Sequence, residues 1–225
     1  MSKIENLVLI TSVINIINNP LSYSKIRSVY SKEERFEQTI KTIESIRKYI
    51  PNSKILFIEC SELDNLTETL IKEKTDYYIN LFYLNNLKQT TSSISKSLGE
   101  GSMTIEALKY LKNLGIKYDN FYKISGRYRL TDKFKYNEFD NKYNIIKKIE
   151  GNTKNISTCF FKIRYEYIDK LLNFLEENIY NMIRCIGYEV LFGLFFKNIN
   201  WENTKSLDLI NIEGNVSVCG SYYYG

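Results

Sequence analysis

Apolar positions alternate along the chain between short continuous runs and longer stretches at helical spacing, and the punctuation between them is clear. Residues 7–13, Leu-Val-Leu-Ile-Thr-Ser-Val, are an apolar, largely β-branched run that predicts a buried first strand. Residues 18–30 then form a connection too long for a simple strand-to-helix link, and long ordered loops tend to be functional. Ser31, with Glu34 three residues on, has the form of a capping box. Phe36, Ile40, Ile43 and Ile46 follow at helical spacing, and the helix should stop near Tyr49, before Pro51. A second strand is predicted over 54–59, ending at Glu59. A helix over 61–74 carries Leu63, Leu66, Leu70 and Ile71 on one face, and a third strand covers 76–81. Residues 83–98, rich in Asn, Thr and Ser, read as a loop, and 104–114 as an amphipathic helix stopped by Gly115.

The stretch 118–130 organises the rest. Phe121, Tyr122, Lys123 and Ile124 read as a buried strand that breaks at Ser125-Gly126 and delivers Arg127, Tyr128 and Arg129 past its carboxyl end. The strand–helix alternation up to here predicts an α/β fold with a mostly parallel central sheet flanked by helices. The second half changes character: strands over 143–149 and 157–163, a helix over 165–178, an apolar helix over 185–196 that carries Glu189, and short strands over 206–212 and 216–219. There is no internal repeat and no second-domain boundary, so one domain over 1–225 is expected.

Composition narrows the chemistry. The 225 residues are 44% hydrophobic with only 2 Pro and 10 Gly, as in a soluble globular protein with no disordered linker. The net charge of +5 is spread along the chain without a basic stripe, which argues for anionic small ligands and against nucleic acid. The abundance of Ile, Asn, Lys and Tyr, whose codons are A/T-rich, also accounts for part of the lysine. The chain has no histidine, which excludes Ser-His and Cys-His nucleophiles and His-ligated metals. Cys60, Cys159, Cys185 and Cys219 are widely spaced with no CxxC, and read as four buried free thiols in a reducing compartment. Residues 7–17 are apolar, but Thr11, Ser12 and Asn15 interrupt them; the run is too short to span a bilayer and lacks a signal-peptide cleavage site. A cytoplasmic protein without a membrane span is expected.

Polar groups converge on one edge of the predicted sheet. Thr11 and Ser12, Glu59, residues 96–102 and residues 125–129 all fall near the carboxyl ends of successive strands, where open α/β sheets bind ligands. Arg127 and Arg129 either form a phosphate site or pair with Asp132 or Glu138 on the surface. Gly99-Glu100-Gly101-Ser102, preceded by Lys96, stands at a helix start, either as an anion site or as an ordinary glycine-containing cap. Glu59 either accepts hydrogen bonds from a ribose or base, or is solvated. Arg27 and Lys25 can fold over phosphates or stay in solvent. Glu189 lies in an otherwise apolar helix, where an unpaired carboxylate is costly; it faces solvent or points into a site as a general base. Tyr222, Tyr223 and Tyr224 are of the kind that stacks on sugars, although most of the 19 Tyr and 12 Phe must serve packing.

This order of elements resembles the GT-A glycosyltransferases, and most closely the small single-domain glycosyltransferase-like proteins encoded by large DNA viruses and some bacteria. The stretches that carry the likeness are residues 23–36 (Tyr-Ser-Lys-Ile-Arg-Ser-Val-Tyr-Ser-Lys-Glu-Glu-Arg-Phe) and 121–128 (Phe-Tyr-Lys-Ile-Ser-Gly-Arg-Tyr). The resemblance implies a single-domain GT-A fold with a nucleotide-binding half (1–130) and an acceptor-side half (131–225). It implies transfer of a sugar from a nucleoside-diphosphate donor to a glycan or other hydroxyl acceptor, in the host cytoplasm if the protein is viral. Thr11, Ser12 and Glu59 would hold the nucleoside; Arg27, Lys96 and Arg127 the diphosphate, with Gly99, Ser125 and Gly126 beside them. Glu189 would deprotonate the acceptor, giving inversion; without a base there, a retaining reaction stays open. GT-A enzymes usually carry an Asp-x-Asp metal motif after the fourth strand, but Ser125-Gly126-Arg127-Tyr128 stands there instead. Arg127, with Arg129 and Lys96, would then neutralise the diphosphate in place of magnesium or manganese, while a role for either ion is left open. The other readings are a sugar nucleotidyltransferase, whose glycine-rich basic signature is missing from residues 14–19, and a non-catalytic nucleotide- or carbohydrate-binding module.

Overall fold

The computed structural model describes residues 4–139, 142–199 and 201–225. At its centre is a seven-stranded sheet. The first strand, β1 (Ile4–Ser12), lies inside it between β2 (Ser53–Glu59) and β4 (Tyr118–Ser125) and runs parallel to both. β3 (Tyr77–Asn80) extends it in parallel beyond β2. On the other side of β4 come β9 (Phe160–Arg164), β6 (Asn144–Ile146) and β10 (Thr204–Ser206). β9 is antiparallel to both its neighbours, and the other pairings are parallel. Strands from both sides of residue 130 therefore share one sheet.

The central strands are covered on both faces, which is why they read as continuous apolar runs. The period of two still sorts them: Leu7, Leu9, Leu56, Ile58 and Phe121 enter one core, and Val8, Ile10, Ile55, Phe57 and Tyr122 the other. Over the first core lie α3 (Asn85–Thr91), α4 (Lys96–Asn113), α5 (Ile168–Glu177), α6 (Ile179–Ile183) and α7 (Tyr188–Asn198). Over the second lie α1 (Lys32–Tyr49), α2 (Asn65–Lys74) and a three-stranded antiparallel sheet of β5 (Tyr128–Leu130), β11 (Ile212–Asn215) and β12 (Tyr222–Tyr224). A small hairpin pairs β7 (Lys148–Ile149) with β8 (Asn152–Ile156). No described helix is long and apolar enough to cross a membrane.

Helix α1 opens on the expected capping box: Ser31 Oγ accepts from the Glu34 amide at 3.2 Å, and Glu34 accepts from the Ser31 amide at 2.8 Å. Its inner face is polar where it meets β5. Thr39 Oγ1 donates to Gly126 O at 3.0 Å, Thr42 Oγ1 to Tyr128 O at 2.7 Å, and Ser45 Oγ accepts from Leu130 N at 3.0 Å. These hydroxyls satisfy backbone groups that would otherwise need another strand, each contributing about 1 kcal/mol. They also fix the turn carrying Arg127 against the middle of α1.

Several elements depart from the sequence expectation. Residues 83–98 are not a plain loop: α3 occupies the middle, and α4 starts at Lys96 with Ser95 Oγ accepting from Leu98 N at 3.1 Å. The helix expected over 61–74 begins only at Asn65, capped by Asp64. The 118–130 strand divides at the Gly126-Arg127 turn between two sheets. Strands expected over 206–212 and 216–219 lie instead at Thr204–Ser206 and Ile212–Asn215, and the tyrosine run 222–224 pairs back onto β11. The cysteines are free but not uniformly buried. Cys60 is buried, Cys159 and Cys185 are half-buried, and Cys219 is exposed at the tip of the β11–β12 hairpin.

Helix α7 crosses β8 so closely that only glycine fits at 193, where a β-carbon would lie 2.0 Å from Lys154 O. Gly193→Ala is expected to destabilise the protein by about 2–3 kcal/mol, a fall of roughly 5–10 °C in a thermal melt. An unchanged melting point would show that the crossing yields to a methyl group.

Candidate functional site

A cavity of ≈ 240 Å³ opens at the carboxyl edge of β1 and β4, where Thr11, Ser12 and Ser125 form its floor. The sheet edge, the first turn of α1, the start of α4 and two loops enclose it. The tip of the β11–β12 hairpin closes one side through Val216, Ser217 and Val218. That tip is tied to the 18–30 loop: Val29 N donates to Ser217 O at 2.9 Å, and Ser217 Oγ to Arg27 O at 3.1 Å. The lining is mixed: Val13, Ile16, Leu21 and Met103 are apolar, and Arg27, Arg35, Lys96 and Arg127 are cationic.

Two guanidiniums define the electrostatics. Arg35 projects from α1 and is only 5% exposed. Its Nη2 donates to Val13 O at 3.2 Å, but Nη1 is buried with no partner. Burial, and then the neighbouring Arg127, push Arg35 down to about 9, against a weaker pull from Glu59. Arg127, from the turn after β4, packs its guanidinium 4.9 Å from the Tyr128 ring centroid, and its Nε is likewise buried without a partner. Both guanidiniums line the one cavity and give it a concentrated positive charge that suits an anion, while the unpaired Nη1 and Nε are themselves closed off from solvent. Arg129 points elsewhere and pairs with Glu213 at 2.5 Å, a partner different from the Asp132 or Glu138 expected from sequence.

The other expected site residues divide by what holds them. Thr11, Ser12, Arg27, Lys96, Gly99, Ser125 and Arg127 all line the cavity. Arg27 does so as a clamp: Nε donates to Asn19 O at 3.1 Å, Nη1 to Thr91 O at 2.8 Å, and Nη2 to Ser93 O. Those carbonyls occupy much of its fork, so it fixes the loop more than it offers charge. Gly99 lies inside α4 and not at its start; its amide donates to Ser95 O at 3.4 Å and is not free for an anion. A β-carbon there would meet Thr91 Cα at 3.3 Å, so the glycine serves the packing of α3 on α4. Gly126 lies beneath the lining, its amide donating to Thr11 O at 2.9 Å.

Glu59 does not reach the cavity. It is fully buried and accepts from Ile14 N at 3.0 Å, Cys60 N at 3.1 Å and Ser61 Oγ at 2.6 Å. Burial raises its pKa against those bonds. It ties the exit of β1 to β2 through Oε1 alone, and Oε2 is buried without a partner, away from the cavity.

A second cavity of ≈ 170 Å³ adjoins the first, with Tyr23, Lys96 and Glu100 lining both. Glu189, in the first turn of α7, lines this second cavity and not the first, and accepts from Thr158 Oγ1 at 3.4 Å. At the junction Glu100 is ion-paired with Lys123, a lysine with no exposed side-chain surface in the middle of β4. Arg35 and Lys123 were not among the expected site residues, and Glu100 was expected only as part of the Gly99–Ser102 stretch, without a role of its own. Lys123 carries the signal that singled out Glu189, a charge in an apolar element. Arg35, in the polar first turn of a helix, carries none.

Among the described residues no cluster of three His, Cys, Asp or Glu is arranged to hold a metal ion. Of the residues lining the first cavity, Glu100 is the one carboxylate, and Lys123 engages it. A hard divalent cation needs several oxygen ligands, so this donor set suits an anion.

No protein-family model matches the chain, and no curated protein matches it in sequence. Solved structures match it in fold. The apo glycosyltransferase GlyE of Streptococcus pneumoniae TIGR4 is 10% identical, with a TM-score of 0.52 over 90% of this chain. The chain spans only 45% of GlyE. Mouse xyloside xylosyltransferase 1, apo form, is 9% identical, with a TM-score of 0.50 over 91% of this chain and 85% of its own. A glycosyltransferase involved in glycosylation of the major capsid of PBCV-1 is 8% identical, with a TM-score of 0.50 over 91% of this chain and 81% of its own. At these identities the likeness is one of fold: a mixed α/β architecture, with a mostly parallel seven-stranded sheet flanked by helices, that this chain shares with glycosyltransferases.

Proposed function

We propose that the protein is a GT-A glycosyltransferase that moves a sugar from a nucleoside-diphosphate donor to an acceptor hydroxyl without a metal ion. The observation that carries this reading is the pair of neighbouring guanidiniums, Arg35 and Arg127, lining one cavity at the carboxyl edge of a fold shared with glycosyltransferases. The diphosphate occupies that end of the cavity, and the nucleoside lies against its apolar wall. As the sugar–phosphate bond breaks, charge accumulates on the leaving diphosphate, and fixed guanidiniums stabilise it without reorganising. Lys96, at the first position of α4, adds its charge from the side of the second cavity.

The acceptor enters the second cavity. Its hydroxyl oxygen bonds to the anomeric carbon while Glu189 takes its proton, and the electron pair of the old bond leaves with the diphosphate. Attack from the side opposite the diphosphate inverts the sugar carbon. The reading is tested by calorimetric titration with UDP, GDP, dTDP and CDP, each with manganese and with EDTA. Selective binding of one diphosphate that survives EDTA is expected. Binding that requires manganese would overturn the arginine mechanism, and binding of none would overturn the donor site.

A further inference from the structure

We propose that Glu100 is a catalytic residue, whose free carboxylate oxygen faces the transferred sugar at the junction of the two cavities and stabilises the positive charge that develops on it. This deepens the glycosyltransferase reading and rests on it. The anomeric carbon must lie where a diphosphate held by Arg35 and Arg127 meets an acceptor hydroxyl beside Glu189. Of the groups that line both cavities, Glu100 is the only carboxylate among the described residues.

Its attachment fixes it there. Glu100 Oε1 accepts from Lys123 Nζ, whose other bonds go to Ser125 Oγ at 2.9 Å and Thr158 O at 2.8 Å. All the ammonium donors are therefore used, and the carboxylate cannot draw Lys123 out of the strand. Glu100 Oε2 makes no hydrogen bond among the described residues, while the side chain keeps 14% of its surface open. The glycines on either side serve the packing of α4 on its neighbours, Gly99 against Thr91 of α3 and Gly101 against Met182 of α6. A purely structural ion pair needs neither an open oxygen nor a place at the junction.

The electrostatics suit this role and not that of a base. Burial pushes the Glu100 carboxyl up, but Lys123, Lys96 and Arg127 outweigh it and hold it below the usual carboxylate range. The group is thus ionised at neutral pH and takes no proton readily, which leaves proton transfer to Glu189. When the anomeric carbon–oxygen bond breaks, its electron pair leaves on the diphosphate, and the ring carries positive charge until the acceptor oxygen bonds to it. A fixed carboxylate beside that ring lowers the barrier electrostatically.

The test compares wild type, Glu100→Gln and Glu100→Ala, using UDP, GDP, dTDP and CDP for affinity and UDP-glucose, GDP-mannose, dTDP-glucose and CDP-glucose for turnover. Turnover is read as release of nucleoside diphosphate to water, without an acceptor. In Glu100→Gln, turnover is expected to fall by about 100-fold or more. Affinity for the free diphosphate stays level or rises, because the amide still accepts from Lys123 but no longer repels phosphate. In Glu100→Ala, sodium azide is expected to restore release and form a glycosyl azide, its nitrogen bonding to the anomeric carbon as the diphosphate departs. Turnover in Glu100→Gln close to wild type overturns the inference and leaves the glycosyltransferase reading standing. Parallel loss of affinity, turnover and melting temperature assigns Glu100 a structural role and also overturns it. A wild-type protein that binds none of the diphosphates, or turns over none of the donors, overturns the glycosyltransferase reading and this inference together.

Discussion

Arg35→Met is expected to raise the melting temperature of the ligand-free protein while weakening nucleoside-diphosphate binding by about 10- to 100-fold. The two effects have one cause. Arg35 is buried, has one backbone acceptor at 3.2 Å, and stands beside a second guanidinium. Its charge is therefore a standing cost to the fold. Because its pKa is depressed to about 9, below the value in an unfolded chain, the cost is in full force at every pH below that point. Methionine fills similar volume, suits a helix and needs no partner. Removing the charge should gain about 1–2 kcal/mol, or a few degrees. On the proposed function a bound diphosphate would offset that cost, so the same substitution should remove a contact to it. Wild type is expected to gain several degrees on adding the nucleoside diphosphate it binds, by mass action; the variant should gain almost nothing. Arg127→Ala should weaken binding similarly, although losing its stacking on Tyr128 should cost stability. Full affinity in Arg35→Met would remove it from the phosphate site, whatever the melting point did.

The sheet was legible because its central strands are short β-branched runs flanked by caps and helical periodicity, features set by local chain physics. The capping box at Ser31 and the strand ending at Glu59 appear where the sequence puts them. What failed was of two kinds. Ser- and Thr-rich residues 83–98 read as loop, yet burial of Leu87 and a Ser95 cap make helix there, so tertiary packing overrode propensity. Strand direction was the other gap: nothing local to residues 160–164 says that β9 runs antiparallel to β4, since pairing is decided by partners far along the chain.

The site was legible as an edge and illegible as a set of contacts. Convergence of Thr11, Ser12, Lys96, Ser125 and Arg127 on one cavity follows from topology alone, because parallel strands deliver their carboxyl ends together. Which charges remain available depends on what each side chain meets. Arg27 meets three carbonyls, Glu59 meets two amides and a hydroxyl, and Arg35 meets one carbonyl and another cation. Sequence ranks these in nearly the reverse order, since a conspicuous arginine in a loop attracts notice and one in the polar first turn of a helix does not.

Glu189→Gln is expected to leave donor binding unchanged and to lower transfer to an acceptor by about 100- to 10,000-fold, the range general-base catalysis supplies. Binding should be spared because Glu189 lines the second cavity and not the one that holds Arg35 and Arg127. Position should be spared because glutamine matches glutamate in size and can still accept from Thr158 Oγ1. What is lost is the ability to take a proton from the attacking hydroxyl. The pattern therefore separates the two carboxylates at this site. Loss of Glu100 charge should slow cleavage of the donor itself, with or without an acceptor. Loss of Glu189 should fall hardest on transfer to the acceptor, because in the proposed mechanism the arginines and Glu100 would still activate the sugar–phosphate bond. Single-turnover measurements with and without acceptor resolve this directly. Equal slowing of both reactions by both variants would mean that the carboxylates act as one unit through Lys123 and Thr158, and full transfer in Glu189→Gln would place the base elsewhere.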